Sequence, residues 1–79
     1  MSVLMLRADG SCWPNPGAGS FGMVASRDGR VECRSRKDIG PSTNNVAEWR
    51  GAIAALDYAL VNSRGAAVVL EMDSRLVVE

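Results

Sequence analysis

Two short apolar runs and one long stretch of helical periodicity dominate the pattern of hydrophobic and polar positions along the chain. Residues 3–8 are apolar except for Arg7 and stop at Asp9, which predicts a buried central strand. Residues 67–72 form a second apolar run and predict another buried strand. Each run is followed at once by an aspartate, Asp9 after the first and Asp73 after the second.

The segment between the first run and the helical stretch has the composition of a loop followed by a hairpin. Residues 10–19 are rich in Gly, Pro, Asn and Ser and predict a loop. Residues 20–26 and 31–38 predict two strands joined by a turn at Asp28-Gly29, and the mostly polar second strand suits a sheet edge. Residues 39–42 predict a connecting loop. A G-x-G-x-x-G match within this segment does not open a helix, so we reject a dinucleotide site.

A helix is predicted from Asn44 or Asn45 to about residue 62, with Glu48 in its first turn. Thr43, Asn44 and Asn45 are all suitable N-cap residues, and Asn45 with Glu48 has the spacing of a capping box. Five large apolar residues recur at helical spacing and predict the buried face of this helix: Val46, Trp49, Ile53, Leu56 and Leu60.

The order of strands and helix predicts how the two apolar runs meet. A right-handed crossover through the helix makes residues 3–8 and 67–72 parallel neighbours. Arg7 and Glu71 each stand two positions before an aspartate, so this register places them side by side. We therefore predict an ion pair between Arg7 and Glu71.

Composition and charge limit the function classes. The 79 residues are 47% apolar and 23% charged with no net charge, which is typical of one small globular domain without general attraction to nucleic acid. The basic residues between positions 27 and 37 have two interpretations, a solvated hairpin or a phosphate-facing patch. The chain has no histidine, which excludes a Ser-His-Asp triad, a Cys-His pair and a His-containing zinc site.

The cysteines and the apolar runs bear on the compartment. Cys12 and Cys33 lack C-x-x-C spacing, so a zinc site is not expected, while a disulfide stays open at this point. The chain has no signal-peptide pattern, and no apolar run has the length of a membrane span. We predict a cytoplasmic protein with free thiols and no membrane partner.

Three carboxylates, Asp9, Glu48 and Asp73, stand at the ends of three predicted elements. The carboxyl ends of parallel strands meet at one edge of a sheet, and we expect Glu48 to reach the same edge. Converging acids raise one another's pKa unless they share a cation, and ligation by oxygen alone suits Mg²⁺ or Mn²⁺. The alternative is three separate local roles: a turn former, a helix-dipole partner and the N-cap of a helix at residues 74–79.

Several motifs extend this pattern along the chain: Asp9-Gly10-Ser11, Asn15-Pro16-Gly17-Ala18-Gly19, Phe21-Gly22, Thr43-Asn44-Asn45-x-Ala47-Glu48 and Asp73-Ser74 before Leu76-Val77-Val78. In order and rough spacing they resemble the type 1 ribonuclease H family, closest to its bacterial-type branch. The resemblance implies an α/β fold with a mixed sheet, in which three antiparallel strands and one parallel strand are joined by a crossover helix. It also implies a sheet truncated at the C-terminus, so residues 1–79 are predicted to be a single incomplete domain that lacks the family's later elements and fourth carboxylate.

The same resemblance implies an activity. The family cleaves the RNA strand of RNA/DNA hybrids with two Mg²⁺ ions, and Asp9, Glu48 and Asp73 match its catalytic metal ligands. Six residues match its substrate contacts: Gly10, Ser11, Asn15, Thr43, Asn44 and Asn45. The alternative is a catalytically defective nucleic-acid-binding or vestigial module. A homo-oligomer is expected if the chain is complete, because one helix covers one sheet face only.

Overall fold

The computed structural model describes residues 2–72, so Asp73 and the helix expected at residues 74–79 lie outside the described part of the chain. The elements follow in this order: β1 (Val3–Trp13), β2 (Gly17–Arg27), β3 (Arg30–Ser42), α1 (Asn44–Asn62) and β4 (Ala67–Met72). The sheet order is β3-β2-β1-β4, with antiparallel pairs on one side of β1 and a parallel pair with β4 on the other. The predicted mixed sheet with one crossover helix is confirmed.

The first three strands are longer than the sequence predicts. The expected loop at residues 10–19 is wrong, because β1 continues to Trp13 and pairs there with Ala18 of β2. The loop expected at residues 39–42 is also part of a strand. Gly and Ser predict loops by composition, yet they accept the extended backbone of a ladder when neighbouring strands supply hydrogen bonds. The Asp28-Gly29 turn is confirmed, with φ of 50° and 84° at its two positions.

The core lies between α1 and one face of the sheet. Leu4, Leu6 and Ala8 of β1 are buried there, while Arg7 and Asp9 on the alternate positions are exposed. The prediction that residues 3–8 form a buried central strand therefore holds for the positions that face the helix, and no element among residues 2–72 covers the second face. β4 contains no fully buried residue, so the predicted burial of residues 67–72 is wrong. Fully apolar runs can thus belong to strands covered on one face.

The predicted ion pair between Arg7 and Glu71 is confirmed. The parallel register of β1 and β4 places these two residues opposite each other. The Arg7 Nε atom lies 3.6 Å from a Glu71 carboxylate oxygen, with both side chains more than half exposed. A solvent-exposed pair of this kind contributes little stability. The pair is useful because its position shows how the two strands are aligned.

The helix α1 packs on the sheet through its smallest residues, not through its large apolar ones. Its buried positions are Ala47, Gly51, Ala52, Ala55 and Ala59. The five residues predicted to form the buried face are 47–83% exposed, so that prediction is wrong. An alanine and glycine face lets the helix axis approach the sheet closely, and the large side chains are then left on the flanks and the outer side. The described helix does not combine the length and apolarity needed to cross a membrane.

The start of α1 is capped by Thr43, one of the three candidates. The Thr43 hydroxyl accepts a hydrogen bond from the Val46 N–H at 3.3 Å. Asn45 therefore lies inside the helix, and the suggested capping box between Asn45 and Glu48 is wrong. Glu48 is correspondingly not in the first turn, which contains no acidic residue. It projects from the second turn, deeper along the helix than the sequence predicts.

A polar cluster connects the β2–β3 hairpin with the end of α1. Arg27 donates from Nε to Glu32 at 2.8 Å and from its two terminal nitrogens to the carbonyls of Asn62 and Ser63. Those carbonyls belong to the helix end, where a cation also interacts favourably with the helix dipole. Tyr58 donates its hydroxyl proton to the same Glu32 carboxylate. The hydrogen bond from Arg27, followed by that from Tyr58, lowers the pKa of Glu32 below its usual 4.5.

We predict that Glu32→Gln destabilises the fold at neutral pH and that the difference disappears in acid. A carboxyl with a pKa lowered by folding stabilises the fold above its unfolded pKa, and this contribution is lost as pH falls through the folded pKa. Urea unfolding of both proteins from pH 7 downwards measures the effect, and the two curves should converge below about pH 4.5. Glu71→Gln, in the exposed pair, is the control and should change stability little.

Candidate active site

Helix α1 approaches the sheet closely at Gly10 of β1. A β-carbon at Gly10 would collide with the carbonyl of Ala47 and would lie 2.7 Å from the Glu48 nitrogen. One helical turn later, a β-carbon at Gly51 would lie 3.4 Å from the Asp9 carbonyl oxygen. Gly10 is therefore required by steric contact, not by an unusual backbone angle. The contact fixes the backbone of Glu48 beside Asp9.

Asp9 directly follows the part of β1 that pairs with β4 in the described residues. The last described pair between β1 and β4 is Ala8 with Met72. Asp9 is therefore the first residue of β1 without a β4 partner among the described residues, and it is exposed on the open face. Of the three predicted ligands, Asp9 lies on the open face, whereas the half-buried Glu48 belongs to α1, whose backbone meets β1 at Gly10. Asp73 follows Met72 in the sequence but lies outside the described residues.

The donor atoms available around Asp9 suit a hard cation. Asp9 and Glu48 both offer carboxylate oxygens, which Mg²⁺ and Mn²⁺ prefer. The nearest soft ligand in sequence, Cys12, is buried on the other face of β1, where its Sγ donates to Asn15 at 3.3 Å. Residues 2–72 contain no group of three potential ligand side chains, so a complete site needs a further donor.

Two of the six predicted substrate residues, Asn15 and Asn44, form a hydrogen-bonded junction between the β1–β2 turn and the start of α1. The side-chain oxygen of Asn44 accepts from the Cys12 N–H at 2.8 Å, and that of Asn15 accepts from the Asn44 N–H at 3.2 Å. These two amide oxygens therefore hold the turn against the helix. Ser11, Thr43 and Asn45 are exposed beside them, whereas Gly10 is buried under the helix.

The basic segment of the sequence divides between the two faces of the sheet. Arg34 and Arg36 lie on the open face with Asp9, and together with Arg7 they line a concave surface of about 540 Å³. Lys37 faces the helix side, beside Phe21 and Asp57. Neither a solvated hairpin nor a phosphate-facing patch describes the whole segment. Part of it is a solvated edge, and Arg34 and Arg36 share the face that carries Asp9.

A model of the RNase H family matches residues 1–79. The chain belongs to the RNase H family. It is 45% identical over 78 residues to the bifunctional protein Rv2228c of Mycobacterium tuberculosis, a match that covers 96% of this chain and 21% of that protein. The chain thus spans about one fifth of this relative.

Two solved structures place this RNase H chain among known folds. The N-terminal RNase H domain of rv2228c from Mycobacterium tuberculosis, solved as a fusion with maltose-binding protein, aligns with a TM-score of 0.87 and 41% identity. That alignment covers 100% of this chain and 58% of the solved one. LC11-RNase H1, solved in complex with an RNA/DNA hybrid, aligns with a TM-score of 0.82 and 33% identity over 95% of this chain and 57% of that one.

Two further residues of this RNase H chain, Gly51 and Trp13, were not predicted from the sequence to have a role. Gly51 is a buried helix position where an added β-carbon would lie 3.4 Å from the Asp9 carbonyl oxygen, and its only sequence signal is a glycine four positions after Ala47 inside a helical pattern. Trp13 is 86% exposed at the end of β1. A tryptophan followed by Pro14 in a polar segment indicates an exposed aromatic side chain. Because residues 10–19 were predicted to be a loop, the sequence did not show that Trp13 shares a strand face with Asp9.

We predict that Gly10→Ala destabilises the fold by about 1–3 kcal/mol, because the added methyl forces α1 away from β1. Gly22→Ala is the matched control, since its β-carbon would meet only the Ser35 carbonyl at 3.6 Å. Urea unfolding of the two variants measures the difference. Equal stability of the two would show that the contact at Gly10 relaxes without cost.

Proposed function

We propose that the chain forms part of a divalent-metal-dependent endonuclease that cleaves the RNA strand of RNA/DNA hybrids. Asp9, Glu48 and Asp73 would be its catalytic metal ligands. A bound pair of Mg²⁺ ions would supply an activated water and neutralise charge on the leaving oxygen. The chemistry of the donors supports this assignment, because Asp9, Glu48 and Asp73 all offer the carboxylate oxygens that Mg²⁺ prefers.

The observation that carries the proposal is the contact of α1 with β1 at Gly10. It brings the Glu48 backbone against the strand that bears Asp9, although the two acids are 39 positions apart in the sequence. Family membership and the hybrid-bound LC11-RNase H1 neighbour favour the same reaction.

Substrate binding in this proposal uses the junction at the start of α1. Ser11 and Asn45 are exposed next to Asp9 and Glu48, and the amide nitrogens of Asn15 and Asn44 remain available as donors because their oxygens are used internally. Thr43 would approach a DNA phosphate near the helix start, where N–H groups favour anions. Gly10 would contribute backbone only. The pinned side chains would bind substrate without further loss of conformational entropy.

We expect the chain to cleave a labelled RNA/DNA hybrid in the presence of Mg²⁺ or Mn²⁺. Asp9→Asn should lower kcat by at least about 100-fold, because loss of partners one step removed from a metal already costs 10–100-fold. Glu48→Gln should have a similar effect. Gel analysis of the RNA strand in multiple-turnover reactions, with hybrid in excess, measures kcat.

Asp57→Asn is the matched control, since Asp57 is an exposed acid on the same helix, nine residues beyond Glu48. It should cleave like the parent chain, and single-stranded RNA should remain intact. Cleavage that survives Asp9→Asn, or that needs no metal, would contradict the proposal. A folded chain that binds hybrid without cutting it would instead support a nucleic-acid-binding module.

A second candidate function rests on the exposed apolar side of α1. Trp49, Ile53 and Leu56 are about half exposed and Leu60 is 83% exposed, which is unusual for a free helix surface. A vestigial or binding module could act through this surface by self-association. In that case sedimentation equilibrium should give a dimer or larger species, and Ile53→Glu should give a monomer. A monomeric parent chain at high concentration would rule this candidate out.

A further inference from the structure

Trp13 exposes more of its side chain than any other large apolar residue of the described chain, at 86%. Single exposed leucines or valines need no explanation. A tryptophan is different, because its indole can bury about 150–250 Å² in a contact and carries one hydrogen-bond donor. Trp13 contributes nothing to the core, so the fold does not account for its presence.

The backbone on both sides of Trp13 is held in place. On one side, the Cys12 N–H donates to the Asn44 side chain at 2.8 Å, and the Cys12 side chain is buried. On the other side, Asn15 accepts from the Asn44 N–H at 3.2 Å. Pro14 restricts the intervening backbone further, because its ring fixes φ. The indole is therefore presented to solvent from a rigid platform.

Nothing among the described neighbours shields the indole ring. The residue paired with Trp13 across the β1–β2 ladder is Ala18, which is itself exposed. A cross-strand alanine is too small to cover an aromatic ring. The ring is consequently free to contact another molecule with its flat face.

The position of Trp13 along β1 connects it with the candidate active site. Asp9, Ser11 and Trp13 occupy alternate positions of one strand and so lie on the same face. At about 3.4 Å per residue, Trp13 is about 14 Å from Asp9.

We propose that Trp13 is a substrate-binding residue that packs its indole against the sugars and base edges of an RNA/DNA hybrid, about 14 Å along β1 from Asp9. The inference rests on the proposed function. The minor groove of an A-form duplex is wide and shallow, which admits a flat ring, and its 2′-hydroxyls can accept a hydrogen bond from the indole N–H. The contact adds affinity without charge, which suits a chain of zero net charge.

Intrinsic fluorescence tests the contact directly, because the chain has only two tryptophans. Trp49→Phe leaves Trp13 as the sole indole, and Asp9→Asn in the same chain prevents cleavage. Titration with a 12-base-pair RNA/DNA hybrid should quench or shift the Trp13 emission, with the same Kd as anisotropy of the labelled hybrid. Trp49→Phe alone should leave the Kd unchanged.

Substitution of Trp13 measures the size of the contact. Trp13→Ala should raise the Kd for hybrid about tenfold, which is within the range for loss of an aromatic contact to nucleic acid. Trp13→Phe should recover part of this loss. The slope of log Kd against log salt should stay unchanged, because a neutral side chain releases no counterions. In cleavage assays Trp13→Ala should raise KM and leave kcat close to the parent value. Circular dichroism and urea unfolding check that each variant is folded.

Each alternative result has a defined meaning. Trp13→Ala that binds and cuts hybrid like the parent, with emission insensitive to hybrid, overturns this inference and leaves the proposed function intact. A parent chain that neither binds nor cuts hybrid overturns both. Emission that changes with protein concentration in the absence of nucleic acid, together with loss of a dimer in Trp13→Ala, would assign the indole to a contact between two copies of the chain.

Discussion

The contact of two backbones at Gly10 is the constraint on which the rest of the structure depends. The carbonyl of Ala47 occupies the space that the β-carbon of any other residue at position 10 would need. This contact determines the height of α1 above the sheet at Gly10. Because α1 packs directly on β1 there, the position of the Glu48 backbone relative to Asp9 is set by packing and not by the side chains of the acids themselves.

The same close approach explains why the large apolar side chains of α1 are exposed to solvent. A helix face of Ala47, Gly51, Ala52, Ala55 and Ala59 fits under a short interaxial distance, and bulkier residues would hold the elements apart. Hydrophobic periodicity weights Trp49, Ile53 and Leu56 above alanine and therefore selects the wrong face. The spacing of the small residues along α1 matches its buried face. That spacing identifies the buried face only once Gly10 of β1 is known to contact the helix.

Topology was predictable where local chemistry and long-range register agree. The Asp28-Gly29 turn, the parallel pairing of β1 with β4 and the Arg7–Glu71 pair all follow from alternation and turn chemistry. The extent of β1 was not predictable, because Gly10, Ser11 and Cys12 have loop composition and become a strand only through pairing with Gly19 to Phe21. The N-cap could not be chosen among Thr43, Asn44 and Asn45, since the choice depends on Asn44 hydrogen-bonding to Cys12.

The longer strand changes the chemistry expected at the site. If residues 10–19 were a loop, Asp9 would end a strand and the residues after it would adapt to a ligand. Because β1 continues instead, Asp9, Ser11 and Trp13 are held in one line on one face, and the turn beyond them is tied to the start of α1 by Asn15 and Asn44. A ligand that reaches Asp9 from the open face therefore meets a surface that is already in place along β1. Rigid presentation of this kind favours a long, regular substrate over a small molecule, since a small molecule would use only one point of the line.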